Sequence, residues 1–256
     1  MPNIHQSAAS GFAAGSNTYV IGRPDYPAEL SQWLHSELRL EPGKRVLDLG
    51  AGTGKFLPTL QSTGADIIAV EPVPEMRAQL QRSHPGIDAK AGTADQIPLK
   101  DASVDAVVCA QAFHWFATTE ALAEIHRVLK PGAKLGLIWN VRDDTVGWVN
   151  ALTQIMAPYV GNTPRYATMQ WRHVFPSNGF SPLAEQAFPH GHTGSPADVI
   201  IKRVLSVSFI SALPQPAQDH IAADIQTLIA ATPALANKHI ITFPYLTSAY
   251  SCSKLT

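Results

Sequence analysis

The chain has 256 residues, with 19 Lys or Arg, 20 Asp or Glu and a formal net charge of −1. Only 15% of positions are charged, against roughly 25% in an average soluble domain. There is no long basic run to neutralise phosphates and no apolar run near the ~20 residues of a membrane span, so neither nucleic acid nor membrane is an expected partner. The deficit is uneven. Residues 1–144 hold 29 charged side chains and residues 145–256 hold 10. The start, MPNIHQSAASGFAAGS, lacks the basic and apolar blocks of a secretory signal, and Cys109 and Cys252 read as reduced, structural thiols. Both features predict a cytoplasmic protein, monomer or homodimer.

Residues 1–18 are small and polar and are expected to lack order on their own. From Pro27 to Leu40, Leu30, Trp33, Leu34 and Leu38 recur at helical spacing, and Pro42-Gly43 ends that helix. Arg45–Leu49 is a short apolar run followed at once by glycines, the pattern of a buried parallel strand. Lys55–Ser62 reads as a helix stopped by Gly64, and Asp66–Val70 as a second strand. Glu75–Arg82 is a helix and Ile87–Ala91 a weak third strand. Asp105–Ala110 is the fourth strand, Thr119–Leu129 a helix stopped by Lys130-Pro131-Gly132, and Lys134–Asn140 the fifth strand. Beyond Asn140 the pattern loosens. A helix is predicted over Val149–Tyr159, irregular chain over 160–180, a strand over Leu183–Phe188, two or three helices between Ser195 and Ala231, and a strand over Ile240–Tyr250.

Strands alternating with helices predict an α/β fold, a mainly parallel sheet with helices on both faces. The expected organisation is an N-terminal segment 1–26, a nucleotide-type core 27–144, a mostly helical cap 145–235 inserted after the fifth strand, and a return to the sheet over 236–256.

The strongest chemical signal is Val46-Leu-Asp-Leu-Gly-Ala-Gly-Thr-Gly54. A strand ends, three glycines at alternate positions let the backbone approach a ligand, and a helix N-terminus follows. Glu71 lies 17 residues after Gly54, at the tip of the next strand, where an acid accepts hydrogen bonds from ribose hydroxyls. Dinucleotide folds require G-x-G-x-x-G, but the third glycine position holds Lys55. The spacing with Asp48 instead resembles motif I of the class I S-adenosylmethionine-dependent methyltransferases. Gly92-Thr-Ala-Asp-Gln-Ile-Pro-Leu99 resembles the family's adenine-side motif, with Thr93 where an Asp is usual.

Ala110-Gln-Ala-Phe-His-Trp-Phe116 resembles a small-molecule subgroup related to trans-aconitate-type methyltransferases. Tyr19-x-x-x-Arg-Pro-x-Tyr-Pro27 and Phe243-Pro-Tyr-Leu-Thr247 fit the same subgroup. The resemblance implies a Rossmann-like fold, S-adenosylmethionine as cofactor, and methyl transfer to a small molecule, with oxygen (hydroxyl or carboxylate) preferred over nitrogen or carbon. It implies cofactor contacts from Tyr19, Asp48, Gly50, Ala51, Gly52, Gly54, Glu71, Thr93, Ala94, Asp95 and Gln111. It places His114, as a candidate general base, with Trp115, Arg23 and Arg142 on the acceptor side. A carboxylate acceptor needs no base, and a guanidinium would then hold it. The scarcity of charge after residue 144 weighs the other way, towards an apolar or aromatic acceptor, a buried cap face or a dimer surface. His190-Gly-His192 has the look of a metal pair, but no third ligand type stands near it in sequence, and no metal is expected. The alternatives are an NAD(P)-dependent oxidoreductase and a non-catalytic cofactor-binding protein.

Overall fold

The computed structural model describes residues 24–255. A seven-stranded sheet runs through it: β1 (Arg45–Leu49), β2 (Asp66–Val70), β3 (Asp88–Lys90), β4 (Val104–Ala110), β5 (Leu129–Arg142), β6 (Ala184–Gly194) and β7 (Ile241–Ser253). The spatial order is β3-β2-β1-β4-β5-β7-β6. β1 pairs in parallel with β2 on one side and β4 on the other. β7 runs antiparallel to both β5 and β6. The strand order therefore reverses at β1, and the crevice beyond the carboxyl ends of β1 and β4 is where an open α/β sheet binds ligands.

The helices α1 (Glu29–Ser36), α2 (Leu57–Gln61), α3 (Pro74–Ser83) and α4 (Thr119–Val128) cover the two faces of the sheet. Because side chains alternate across a strand, Val46 joins Leu30, Leu34, Leu57 and Leu60 on one face. Leu47 and Leu49 join Val107, Leu122, Ile125 and Leu137 on the other. Each such Leu or Ile, fully buried, stabilises by roughly 1.5–3 kcal/mol. Thr118 begins α4 by accepting a hydrogen bond from the Ala121 amide at 3.2 Å.

The first five strands fall where the alternation puts them. β5 differs at its start. It opens at Leu129, through the predicted stop, with a register shift against Val104/Ala106 and Gly132 at φ +69°.

The cap is divided. α5 (Gly147–Met156) and three 3-10 turns, Ala157–Tyr159, Tyr166–Thr168 and Gln170–Val174, precede β6. A π-helical turn Ala197–Lys202 continuing into Arg203–Leu205, then α6 (Ser208–Ser211) and α7 (Gln215–Ala231), follow it. The predicted cap range 145–235 therefore contains a strand of the main sheet. β6 is an edge strand whose side chains are mostly exposed, so hydrophobic alternation marks it poorly and its backbone pairing with β7 decides its length. It extends six residues past Phe188 and takes in His190-Gly-His192. Val149, Leu152, Ile200, Val204, Ile210, Ile221 and Ile225 form the cap's own core against Phe243 and Tyr245 of β7.

Candidate active site

A cavity of about 690 Å³ opens at the ends of β1, β2, β4 and β5. Its size lies within the roughly 300–1,000 Å³ of small-ligand sites. Asp48, Gly50, Ala51 and Gly52 line it from the glycine loop, Glu71 from the tip of β2, and Thr93, Ala94 and Asp95 from the loop after β3. Gln111, Ala112, Trp115 and Phe116 line it from the segment after β4, Asn140 from β5 and Arg203 from the cap.

The glycine loop is held tightly. The amides of Gly50 and Ala51 both donate to the Val70 carbonyl, at 2.8 and 3.2 Å. Gly50 has φ +74°, and a Cβ there would stand 2.8 Å from the Ala112 Cβ, so only glycine fits. Gly54, expected at the cofactor, does not line the cavity. Its missing Cβ makes room instead for His84 and Leu57, each 2.9 Å from where that atom would be. It closes the loop against its own helix and the end of α3.

Glu71 is buried. Its two carboxylate oxygens accept from the amides of Gly52 and Val73, both at 2.8 Å. Burial raises its pKa, opposed by these two amides and by Arg77. Each oxygen keeps a lone pair for a ligand hydroxyl. The acid thus ties the tip of β2 to the glycine loop as well as facing the cavity. Asp48 is more deeply placed. Burial, with the neighbouring Glu71 charge, pushes its carboxyl up to about 7, and its Oδ2 is buried without a hydrogen-bond partner. A cationic amine brought to this oxygen would supply the missing donor. The residues present therefore fit a ligand with ribose hydroxyls at one point and an ammonium at another.

Arg127, which the sequence reading did not single out, organises the 93–101 loop. Its guanidinium donates to the carbonyls of Ile97 (2.9 Å) and Leu99 (2.8 Å) and to the carboxylates of Glu124 (2.6 Å) and Asp101 (2.7 Å). Glu124 also accepts from the Ile97 amide at 2.9 Å. A half-buried Arg in the last turn of a helix gives no sign in sequence of such a loop contact.

The segment after β4 brings two surprises. Gln111 adopts φ +59°, a left-handed conformation uncommon outside glycine, with its amide side chain donating to the Asn140 carbonyl at 3.1 Å. Trp115 and Phe116 face the cavity, but His114 does not line it. The Trp139 indole N–H donates to His114 Nδ1 at 3.0 Å. An indole only donates, so the proton of the neutral imidazole sits on Nε2, and the lone pair needed for base action is engaged by a buried Trp. Trp139 belongs to an aromatic cluster with Tyr166, Trp171 and Tyr250, at centroid distances of 5.0, 4.5 and 5.9 Å. Arg142 also lies outside the lining, with Nη1 2.9 Å from the Met156 sulfur. Tyr19 and Arg23 fall outside the described residues. Next to them, Pro24 and Tyr26 line the cavity, and Tyr26 packs edge-on against Phe56. Lys55 forms an ion pair with Asp25, whose carbonyl accepts from Asn140 at 3.2 Å. The residue that argued against a dinucleotide loop thus fastens the entering chain across the cavity rim.

Sheet order, glycine loop and second acid together define a nucleotide-type cofactor site of the methyltransferase kind. A family model for the methyltransferase domain matches residues 47–137. A methyltransferase-like protein of Schizosaccharomyces pombe is 40% identical over 237 residues, covering 92% of each chain. An uncharacterized methyltransferase of Mycobacterium bovis is 37% identical over 243 residues, again 92% of each. Among solved structures, an N-methyltransferase of Haemonchus contortus in complex with phosphomonomethylethanolamine and S-adenosylhomocysteine superposes with a TM-score of 0.55 at 15% identity, over 99% of this chain and 58% of that one. The chain belongs to the class I S-adenosylmethionine-dependent methyltransferase family; it is an enzyme of that family and S-adenosylmethionine is its cofactor. The oxidoreductase alternative falls with that assignment.

Proposed function

We propose that the chain transfers a methyl group from S-adenosylmethionine to an oxygen of a small-molecule acceptor, hydroxyl or carboxylate. The observation that carries this reading is the continuity of one cavity from the glycine loop, Glu71 and Ala94-Asp95 to Gln111, Trp115, Asn140 and Arg203. The first set suits a nucleoside with an amino-acid arm, and the second leaves room beside it for an acceptor. When bound, the cofactor supplies a sulfonium-activated methyl carbon. In this reading Glu71 holds the ribose hydroxyls, and the Gly50–Gly52 backbone gives the ligand close approach. Asp48 Oδ2 receives the amino group of the amino-acid arm. Thr93, Ala94 and Asp95 border the adenine. Gln111, fixed in its left-handed conformation by Asn140, borders the transfer site with Trp115.

No histidine stands in the lining among the described residues. An oxygen that arrives ionised, or becomes so easily, fits a site that works by alignment and exclusion of water without a histidine base. Calorimetry with S-adenosylhomocysteine and with NADH tests the cofactor end. Labelled S-adenosylmethionine with panels of hydroxy acids, phenols and amines tests the acceptor end. Label on nitrogen alone would overturn the oxygen assignment. Persistent absence of any labelled small product, with cofactor bound, would overturn the small-molecule acceptor.

A further inference from the structure

We infer that the methyl acceptor carries a carboxylate, or an equivalent oxyanion, which docks on Arg203 at the cap end of the cavity, within the positive field of Arg142 and Arg165. This inference rests on the methyl-transfer reading above and names the class of its acceptor.

The charges that line the cavity are separated. Asp48, Glu71, Asp95 and Glu120 stand at the cofactor end. The lining cations are Lys55 and Arg203, and the charge of Lys55 is already matched by Asp25. Arg203 has no such match. Its Nε and Nη1 are buried without a hydrogen-bond partner, and no carboxylate among the described residues lies within 4.0 Å of it. Residues 1–23 contain neither Asp nor Glu, so the chain before Pro24 has no side-chain acid to offer. Arg203 as a residue is half-buried, but leaving two of its N–H groups buried without an acceptor is costly and calls for an explanation.

Arg203 is not alone. Arg142 and Tyr245 are directly paired across β5 and β7, and Tyr245 is paired with His190 across β7 and β6. Directly paired residues share a face of the sheet, so these three side chains form a row at its end. The Tyr245 hydroxyl, on a residue only 2% exposed, has no partner; nor does Arg165 Nε. The hydrogen bond found for the Arg142 guanidinium goes to a thioether, a weak acceptor. Burial, then Arg203, with a smaller contribution from Arg165, holds Arg142 below the ordinary arginine range, although Tyr245 and Asp144 oppose this. Donors of Arg165, Arg203 and Tyr245 thus stand without acceptors where the cap meets β7, beside an Arg142 held only by a thioether. A divalent metal does not suit such a site, because the neighbouring cations repel it. An oxyanion supplies acceptors and charge at once, and guanidinium–carboxylate pairing is the strong form of that bond.

The test uses the full chain saturated with S-adenosylhomocysteine. Calorimetry is run with aliphatic and aromatic mono- and dicarboxylates, each beside its primary amide. The expected result is that at least one acid binds more tightly than its amide by about tenfold or more, as a charged hydrogen bond implies. Arg203→Met should abolish that difference, Arg203→Lys should restore part of it, and Arg142→Met should reduce it, with S-adenosylhomocysteine still bound in each. If Arg142→Met does not fold, Tyr245→Phe replaces it. Acids and amides binding alike across the panel would overturn the inference, as would an unchanged preference in Arg203→Met. Acid preference without S-adenosylhomocysteine affinity would instead sink the methyl-transfer reading and leave the anion site standing.

Discussion

The cofactor half and the cap half use charge in opposite ways. Up to Arg142, charged groups mostly meet partners at the surface or knit loops. Lys130 pairs with Asp105, Lys55 with Asp25, and Arg127 with Glu124 and Asp101. Beyond residue 144 charges are few, yet two of them turn inward without an acid. Arg172 pairs with Glu185 and lies over the Tyr250 ring, and Lys202 pairs with Asp198. Arg165 and Arg203 carry the unpartnered buried atoms. A low count of charged residues is compatible with an apolar or aromatic acceptor, a buried cap face or a dimer surface. The structure teaches that position matters more than count, because two of the cations there, Arg165 and Arg203, stand near Arg142.

The largest expected effects separate the halves by stability. Leu152→Ala removes a fully buried cap side chain and should cost about 2–5 kcal/mol in denaturant unfolding. If the cap has its own core, S-adenosylhomocysteine affinity should change far less than stability. Equal losses of both would show that the halves do not act separately. Glu71→Ala should do the reverse. It removes the acid facing the cavity and frees the Gly52 and Val73 amides, so cofactor affinity should fall by about 3 kcal/mol in calorimetry. Unchanged affinity in a folded variant would remove Glu71 from the site.

Asp48 gives a pH signature confined to the cofactor half. Its carboxyl is raised from 3.8 to about 7 in the folded chain, so the folded state holds a proton that the unfolded state releases. Stability from this group is present at low pH and is lost as pH rises towards 7, the opposite of a salt-bridged Asp. Thermal melts across that window should show the slope, and Asp48→Asn should reduce it, leaving the contribution of Glu71, whose carboxyl burial also raises. Burying an ammonium at Asp48 should ionise it, so S-adenosylhomocysteine binding near pH 6 should release a proton. Calorimetry in buffers of differing ionisation heat would detect this.

The smallest effect expected is that of Arg127→Ala. Its guanidinium is partly exposed, so the stability loss should be about 1 kcal/mol after solvent screening. The loop it holds borders the cavity, and hydrogen exchange at Ile97 and Leu99 should quicken while the cap amides stay protected.

His114 shows where a motif stops being informative. Its place after β4 and its pairing with Trp115 are plain in the sequence, and Trp115 does line the cavity. The side chain of His114 turns instead to Trp139, 25 residues away on a neighbouring strand, and no local pattern encodes that contact. Arg142 is the converse. It is expected on the acceptor side, yet it lies outside the cavity lining, on the same sheet face as the unpartnered Tyr245 hydroxyl. Gly54 belongs to the motif by spacing, but its role is to admit His84 and Leu57.

The sequence by itself determined the central strands, the glycine loop with Asp48 and Glu71, and hence the cofactor class. These depend on local periodicity and on residues near one another in the chain, where backbone sterics and burial act residue by residue. Only the tertiary structure decided the length of β6, the orientation of His114, the loop-holding role of Arg127 and the gathering of Arg142, Arg165 and Arg203. Each depends on groups brought together from distant strands and from the cap, and on which buried donors are left without acceptors once the chain has packed.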